Sequence, residues 1–303
     1  MKRTAMAVAT TVAILSSALW AGAQAYGGQQ TAPAAGQGAQ STPAGQAAAA
    51  PTAPAAKRPP QAKTQPEFDA YKVAAANADG AALETATGDF ATKFPDSELR
   101  TLLYKAAMRT YQNANNSDKT EVMGRKVLSL DGDDPEALVI VAEVIAERTR
   151  DSDLDKDQRY DEAMKMAQKA IQTVETDVVF NQGTAQEKID AYKSMLRSNA
   201  YSVMGTIDFK KEGFAAAQEN LQKSIDAYPA QPDPVVVLRL ALSLDKQSKY
   251  PDALKVANRA VEMTPESSQI GTLARRERDR LQQLTGGAAP APATAPAAQP
   301  PKN

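Results

Sequence analysis

Residues 234–265 constrain the fold more tightly than any other stretch, because they hold a helix start, two amphipathic helices, a tight turn and a stop. Val237, Leu240, Ala241 and Leu244 recur at three- and four-residue steps, the spacing of one helix face. Pro234 suits the first helical position, where a missing amide costs nothing. After Lys246-Gln247-Ser248-Lys249 the same spacing returns in Tyr250, Ala253, Leu254, Ala257, Ala260 and Val261, and Pro265 ends the run. Two short helices of this kind cannot bury their apolar faces alone. They must pack on each other and on neighbours built the same way.

Such neighbours precede the unit. Phe68, Tyr71, Lys72 and Ala75 are followed across Ala78-Asp79-Gly80 by Leu83, Ala86, Thr87, Phe90 and Phe94. Leu99, Leu102, Leu103, Ala106 and Ala107 are followed by Val122, Met123, Val127, Leu128 and Leu130. A third unit pairs Leu138, Val141, Ala142 and Ile145 with Tyr160, Ala163, Met164, Ala167 and Ala170. Asp134-Pro135-Glu136 supplies its cap, first-turn proline and favourable charge. A fourth begins near Thr184 with a long helical pattern (Ile189, Tyr192, Leu196, Val203, Ile207) and continues through Phe214, Ala217, Leu221 and Ser224 to Pro229. Ile270, Leu273, Ala274, Leu281 and Leu284 then form the stripe of one capping helix, with Arg275, Arg276, Arg278 and Arg280 largely opposite and read as solvated.

With Ala241, Ala253, Ala257 and Ala260 at the small positions, Tyr250 opening the second helix and Pro265 closing it, residues 234–265 resemble the tetratricopeptide repeat, a helix pair of about 34 residues. Val237 and Leu244 replace two aromatic residues of that family's pattern and keep their size class. The resemblance implies an all-α, right-handed α-solenoid of about five helix pairs plus a C-terminal capping helix, spanning residues 66–285.

Composition closes off much chemistry. Among 303 residues there is no cysteine and no histidine, which removes disulfides, cysteine nucleophiles, histidine bases and ordinary zinc sites. No glycine-rich phosphate-binding turn is present, so no cofactor is expected. All 36 acidic residues lie between Glu67 and Asp279, and six of the 35 basic ones fall outside residues 66–285. That region therefore carries 29 basic against 36 acidic residues, a net charge of −7, and nucleic acid is not the expected partner.

The ends differ from the middle. Lys2 and Arg3 precede a short apolar run and Ala23-Gln24-Ala25, the pattern of an export signal over residues 1–25 with cleavage after Ala25. The protein is then exported, periplasmic or secreted, and touches a membrane only if that segment is retained. Residues 26–65 are mostly Ala, Gln, Pro and Gly, and read as a disordered tether in which Lys57, Arg58 and Lys63 are solvated. Residues 286–303 read as a disordered Ala/Pro-rich tail.

Two candidate sites follow. Asp151, Asp153, Asp155 and Glu162 occupy the first, third, fifth and twelfth places of a calcium loop. Lys156 stands where such a loop turns on glycine, so a solvated insertion is the expectation and no metal site is assigned. The tetratricopeptide resemblance implies a concave groove lined by the first helices of each pair. By repeat position it places Arg100, Tyr104, Glu143, Asn199, Ser202, Arg239, Asp245 and Lys246 there, although the same residues also suit an ordinary surface. Together Arg239, Lys246, Asn199 and Ser202 would hold the backbone and an acidic side chain of an extended peptide, and Arg239, on the solvent side, would be dispensable for folding. The expected function is a non-catalytic interaction scaffold with a protein or peptide partner. The alternative is a structural spacer working through its tails.

Overall fold

The computed structural model describes residues 57–286; the expected export signal, residues 26–56 of the expected tether and the chain from residue 287 onward lie outside the described residues. The described chain is helical throughout and contains no strand. Its helices pair in chain order as the apolar spacing predicts: α1 (Gln65–Ala75) with α2 (Gly80–Lys93), α3 (Leu99–Asn113) with α4 (Ser117–Leu130), α5 (Pro135–Arg148) with α6 (Lys156–Thr173), α7 (Gln186–Lys210) with α8 (Phe214–Ala227), and α9 (Pro234–Lys246) with α10 (Tyr250–Glu262). A single helix, α11 (Gln269–Leu284), closes the stack.

Local chemistry sets the helix starts. The carboxylates of Asp79, Asp134 and Asp233 and the hydroxyl of Ser268 each accept a bond from a first-turn amide, satisfying donors that no helical carbonyl can reach. Three of the turns inside pairs also share one geometry. Asn115, Glu212 and Ser248 adopt left-handed φ values of 55°, 59° and 60°. The next amide (Asn116, Gly213, Lys249) then donates to the carbonyl five residues back, on Tyr111, Asp208 and Leu244. This is the Schellman arrangement, which reverses the chain tightly enough for the second helix to return along the first. The pair α5/α6 departs from it, because residues 149–155 form the oversized charged turn.

Consecutive helices pack along the whole stack, and first helices also touch one another (α1 with α3, α5 with α7, α7 with α9), as α9 does α11. The second helices make no comparable contact with each other. The first helices therefore form the inner layer and the second helices the outer one. Small residues let these layers close: Ala107, Ala142, Ala163, Ala167, Ala200, Ala217, Ala241, Ala253, Ala257 and Ala260 are all fully buried. At Gly205 a methyl group would lie 2.6 Å from Leu221 Cγ, so α7 and α8 approach more closely than even alanine allows. The ends of the stack differ. Phe68 and Leu284, read as core-facing, are 42% and 50% exposed, because α1 and α11 are the terminal helices of the stack and among the described residues no further helix covers them. Arg275, read as solvated, turns inward instead and donates from Nη2 to the Thr264 carbonyl at 3.4 Å.

Residues 57–64 also depart from the expected solvated tether. Lys57, Arg58 and Gln61 bond to the turns that join one pair to the next, and Lys63 N donates to the buried Glu67 carboxylate at 2.7 Å. The aspartates and glutamates of those turns supply the partners that composition alone cannot place.

Candidate functional site

The inner layer carries two charged clusters, and they differ in how completely they are paired. The first joins α3 to the start of α5. Lys105 Nζ lies 2.7 Å from Asp134 Oδ2 and 3.0 Å from Glu136 Oε2, and the Arg109 guanidinium grips Glu136 with two parallel bonds, one of them 2.5 Å. Burial works against charge on Glu136, yet Lys105 and Arg109 outweigh it and hold the carboxyl well below the usual carboxylate range. Tyr192, on the first half of the long α7, stands beside this cluster. Burial and the nearby Glu136 charge raise its phenol well above the ordinary value. Each acid here has its cation. The cluster ties three helices together and leaves no charge for a ligand.

The second cluster lies where α5, α7 and α9 meet. Glu143 and Glu147 stand one turn apart on α5, Asp233 caps α9, and Arg239 reaches across from α9. Arg239 Nη1 donates to Thr206 Oγ1 at 2.6 Å, and its Nη2 lies 3.5 Å from Glu147 Oε1. Lys210 is committed elsewhere: its Nζ donates to the Ala146 carbonyl at 2.5 Å and lies 3.4 Å from those of Glu147 and Thr149, capping the C-terminus of α5. Burial lowers the Lys210 pKa, opposed by Glu147. Three carboxylates thus share one guanidinium.

Glu143 is the residue left over. It is half-buried, and among the described residues it accepts no hydrogen bond and forms no ion pair. Burial pushes its carboxyl up to about 7, the neighbouring Glu147 and Asp233 charges add to the rise, and Arg239 pulls the other way. Asp233 is raised as well, chiefly by burial, although it accepts the Val235 amide.

No family model matches the sequence. A search of curated proteins also finds no match. A solved structure, the assembly chaperone of RpL4 (Acl4), residues 1–338, aligns with 73% of this chain and 97% of its own at 12% identity and a TM-score of 0.39.

The residues placed in the groove by repeat position separate into groups. Glu143 and Arg239 come together in the second cluster, and Asn199 and Ser202 lie half-buried on the same α7, with the Ser202 carbonyl accepting from Thr206. Arg100 Nε donates to the Ser97 carbonyl at 3.0 Å, a local cap, and Tyr104 packs against the core with Lys126 Nζ 5.2 Å from its ring centroid on the α4 side. Asp245 is paired with Arg280 of the cap at 2.5 Å, while Lys246 is exposed. Arg239 is not the solvent-side residue expected from sequence. Its side chain is 18% exposed and bridges α7 and α5, so truncating it disturbs packing as well as surface charge.

Repeat position missed Glu147, Asp233, Thr206 and Lys210. Glu143 and Glu147, and Ser202, Thr206 and Lys210, do recur at helical steps of four, which is a readable stripe. Asp233 was legible only as a helix cap. The calcium-like loop does not assemble: Lys156 opens α6, and Glu162 Oε1 turns to Arg125 at 2.7 Å. Asp155 and Glu162 line a shallow cleft with Arg125, Arg148 and Arg159. Among the described residues no group of three metal-ligating side chains forms a site, and no helix is long and apolar enough to cross a membrane.

Proposed function

We propose that this chain is a non-catalytic interaction scaffold, built of tetratricopeptide-like helix pairs, that receives an extended basic segment of a partner protein on its inner face. Glu143 carries this reading. A half-buried carboxylate without a hydrogen bond is costly for a folded chain to keep, and the cost is removed when a ligand ammonium or guanidinium supplies the missing counter-charge. This reverses the peptide chemistry expected from sequence, in which Arg239 and Lys246 took an acidic side chain, because Arg239 is already occupied by Thr206 and Glu147.

Ser202, whose carbonyl accepts from Thr206, and Asn199, about one turn before it, are half-buried on α7 and suited to hold the backbone of such a segment. The net charge of −7 over residues 66–285 favours a cationic partner in the same direction. We place the protein outside the cytoplasm on the strength of the signal-like residues 1–25. N-terminal sequencing of the protein from its cell that begins at Tyr26 agrees with this, and a sequence beginning at Met1 contradicts it.

The experiment is an array of extended peptides that differ only in carrying Lys and Arg, Glu and Asp, or neither, titrated against the full chain at pH 5 and pH 8. Basic peptides should bind best and more tightly at pH 8, where Glu143 is ionised. Glu143→Gln should weaken them about ten- to hundredfold, the worth of a partly buried charge-assisted bond. Equal binding by parent and Glu143→Gln, or a preference for acidic peptides, would discard the basic-segment reading and favour the spacer.

A further inference from the structure

The three turns that join the first four pairs lie along one edge of the stack, and each presents a carboxylate: Glu98 between α2 and α3, Asp131 between α4 and α5, and Asp177 between α6 and α7. Residues 57–63 run along that edge. Arg58 makes a two-pronged pair with Glu98, one bond of which is 2.8 Å, and Gln61 N donates to the same carboxylate at 3.2 Å. Lys57 Nζ reaches Asp131 at 2.5 Å and Asp177 at 3.4 Å, while its amide donates to the Thr176 carbonyl at 2.9 Å. Ala62 packs into the apolar cluster of Ala74, Phe90, Leu99 and Leu103. Lys57 and Gln61 lie four residues apart, about 12 Å when extended, and the long Lys57 and Arg58 side chains reach the rest of the way between the three turns. Pro59 and Pro60 hold the segment extended before it docks, which reduces the entropy lost on docking.

We propose that this acidic turn edge is a docking track for a basic, proline-stiffened extended segment, and that its occupant is the chain's own residues 57–63, acting as a clasp. The clasp has two consequences. It links the turns of the first four pairs through one strand of backbone, so that their relative angles are held together. It also sets residue 57, the first described residue, at the α6–α7 turn rather than at the start of α1. Its ion pairs stay open to solvent, Arg58 at 65% exposure and Lys57 at 35%, so salt or a competing charge weakens it. Opening would free residues 57–64 from the edge of the stack.

The chain has no cysteine, so Lys57→Cys with Asp177→Cys holds the only two thiols; it gives up the Lys57 ion pairs, and closure reads docking held by Arg58, Gln61, Ala62 and the residue-57 amide. In the full chain, under mild oxidation, this pair should close an internal disulfide at least tenfold faster than Lys57→Cys with Lys246→Cys, because docking raises the effective concentration of the two sulfurs. Adding Arg58→Glu should slow closure roughly tenfold, and the charge swap Arg58→Glu with Glu98→Arg should restore it. Circular dichroism of each variant checks that the helices are intact. Equal closure rates for the two cysteine pairs, or a rate indifferent to Arg58→Glu, would overturn the clasp. A swap that fails to restore the rate would remove Glu98 as its anchor and overturn the track as drawn.

Discussion

Glu143→Gln is the most informative substitution, because it changes one charge and almost no volume at the floor of the inner face. A carboxyl held at about 7 instead of 4.5 is destabilised in its charged form by up to about 3.4 kcal/mol, at 1.36 kcal/mol per pH unit. Water reaches this half-buried side chain, so about 1–2 kcal/mol is the expected net cost. The sign follows from linkage. Between pH 4.5 and about 7 the folded chain keeps a proton on Glu143 that the unfolded chain has released. Stability therefore falls as pH rises through that window and levels off above it. The neutral variant lacks this loss, and should be about 1–2 kcal/mol more stable than the parent at pH 8 and indistinguishable from it near pH 4.5. With no histidine in the chain, few other groups titrate across that range, although the raised Asp233 adds a slope of its own to both proteins. Urea unfolding followed by circular dichroism at several pH values reads the difference as a midpoint shift of roughly 0.5–1 M. Equal stability at pH 8, or a gain that does not change with pH, would refute the claim that Glu143 is an uncompensated charge.

Glu136→Gln should do the opposite: it strips Lys105 and Arg109 of their shared partner and should cost about 3–5 kcal/mol by the same urea assay at pH 7. Gly205→Ala should destabilise by about 1–3 kcal/mol, read as a lower urea midpoint, because the new methyl meets Leu221 at 2.6 Å. Calorimetry should show no saturable calcium binding by the loop at residues 151–162, since Glu162 is engaged by Arg125; a signal abolished by Asp151→Ala and Glu162→Ala would contradict that assignment.

Local signals determined most of the fold. Apolar steps of three and four, aspartate caps and helix-ending prolines act within a turn or two of chain, so the pairs, the order of elements and the buried Ala241, Ala253, Ala257 and Ala260 were legible from residues alone. The candidate site was legible only in part. Glu143 and Arg239 were placed by repeat position. That Glu143 is unpaired depends on where Arg239 spends its guanidinium, which is on Thr206 of one helix and Glu147 of another, more than thirty and ninety residues earlier. Arg100, Tyr104 and Asp245 occupy equivalent places in the sequence and yet are held by a local carbonyl, the core and the cap. The tether shows the same limit. Lys57 and Arg58 look solvated beside alanine and proline, and they dock because stacking brings Glu98, Asp131 and Asp177 to one edge. Helix formation rests on neighbours a few residues apart, whereas the pairing of a charge rests on which distant turns and helix ends the stack brings within hydrogen-bonding reach, and no local pattern encodes that distance.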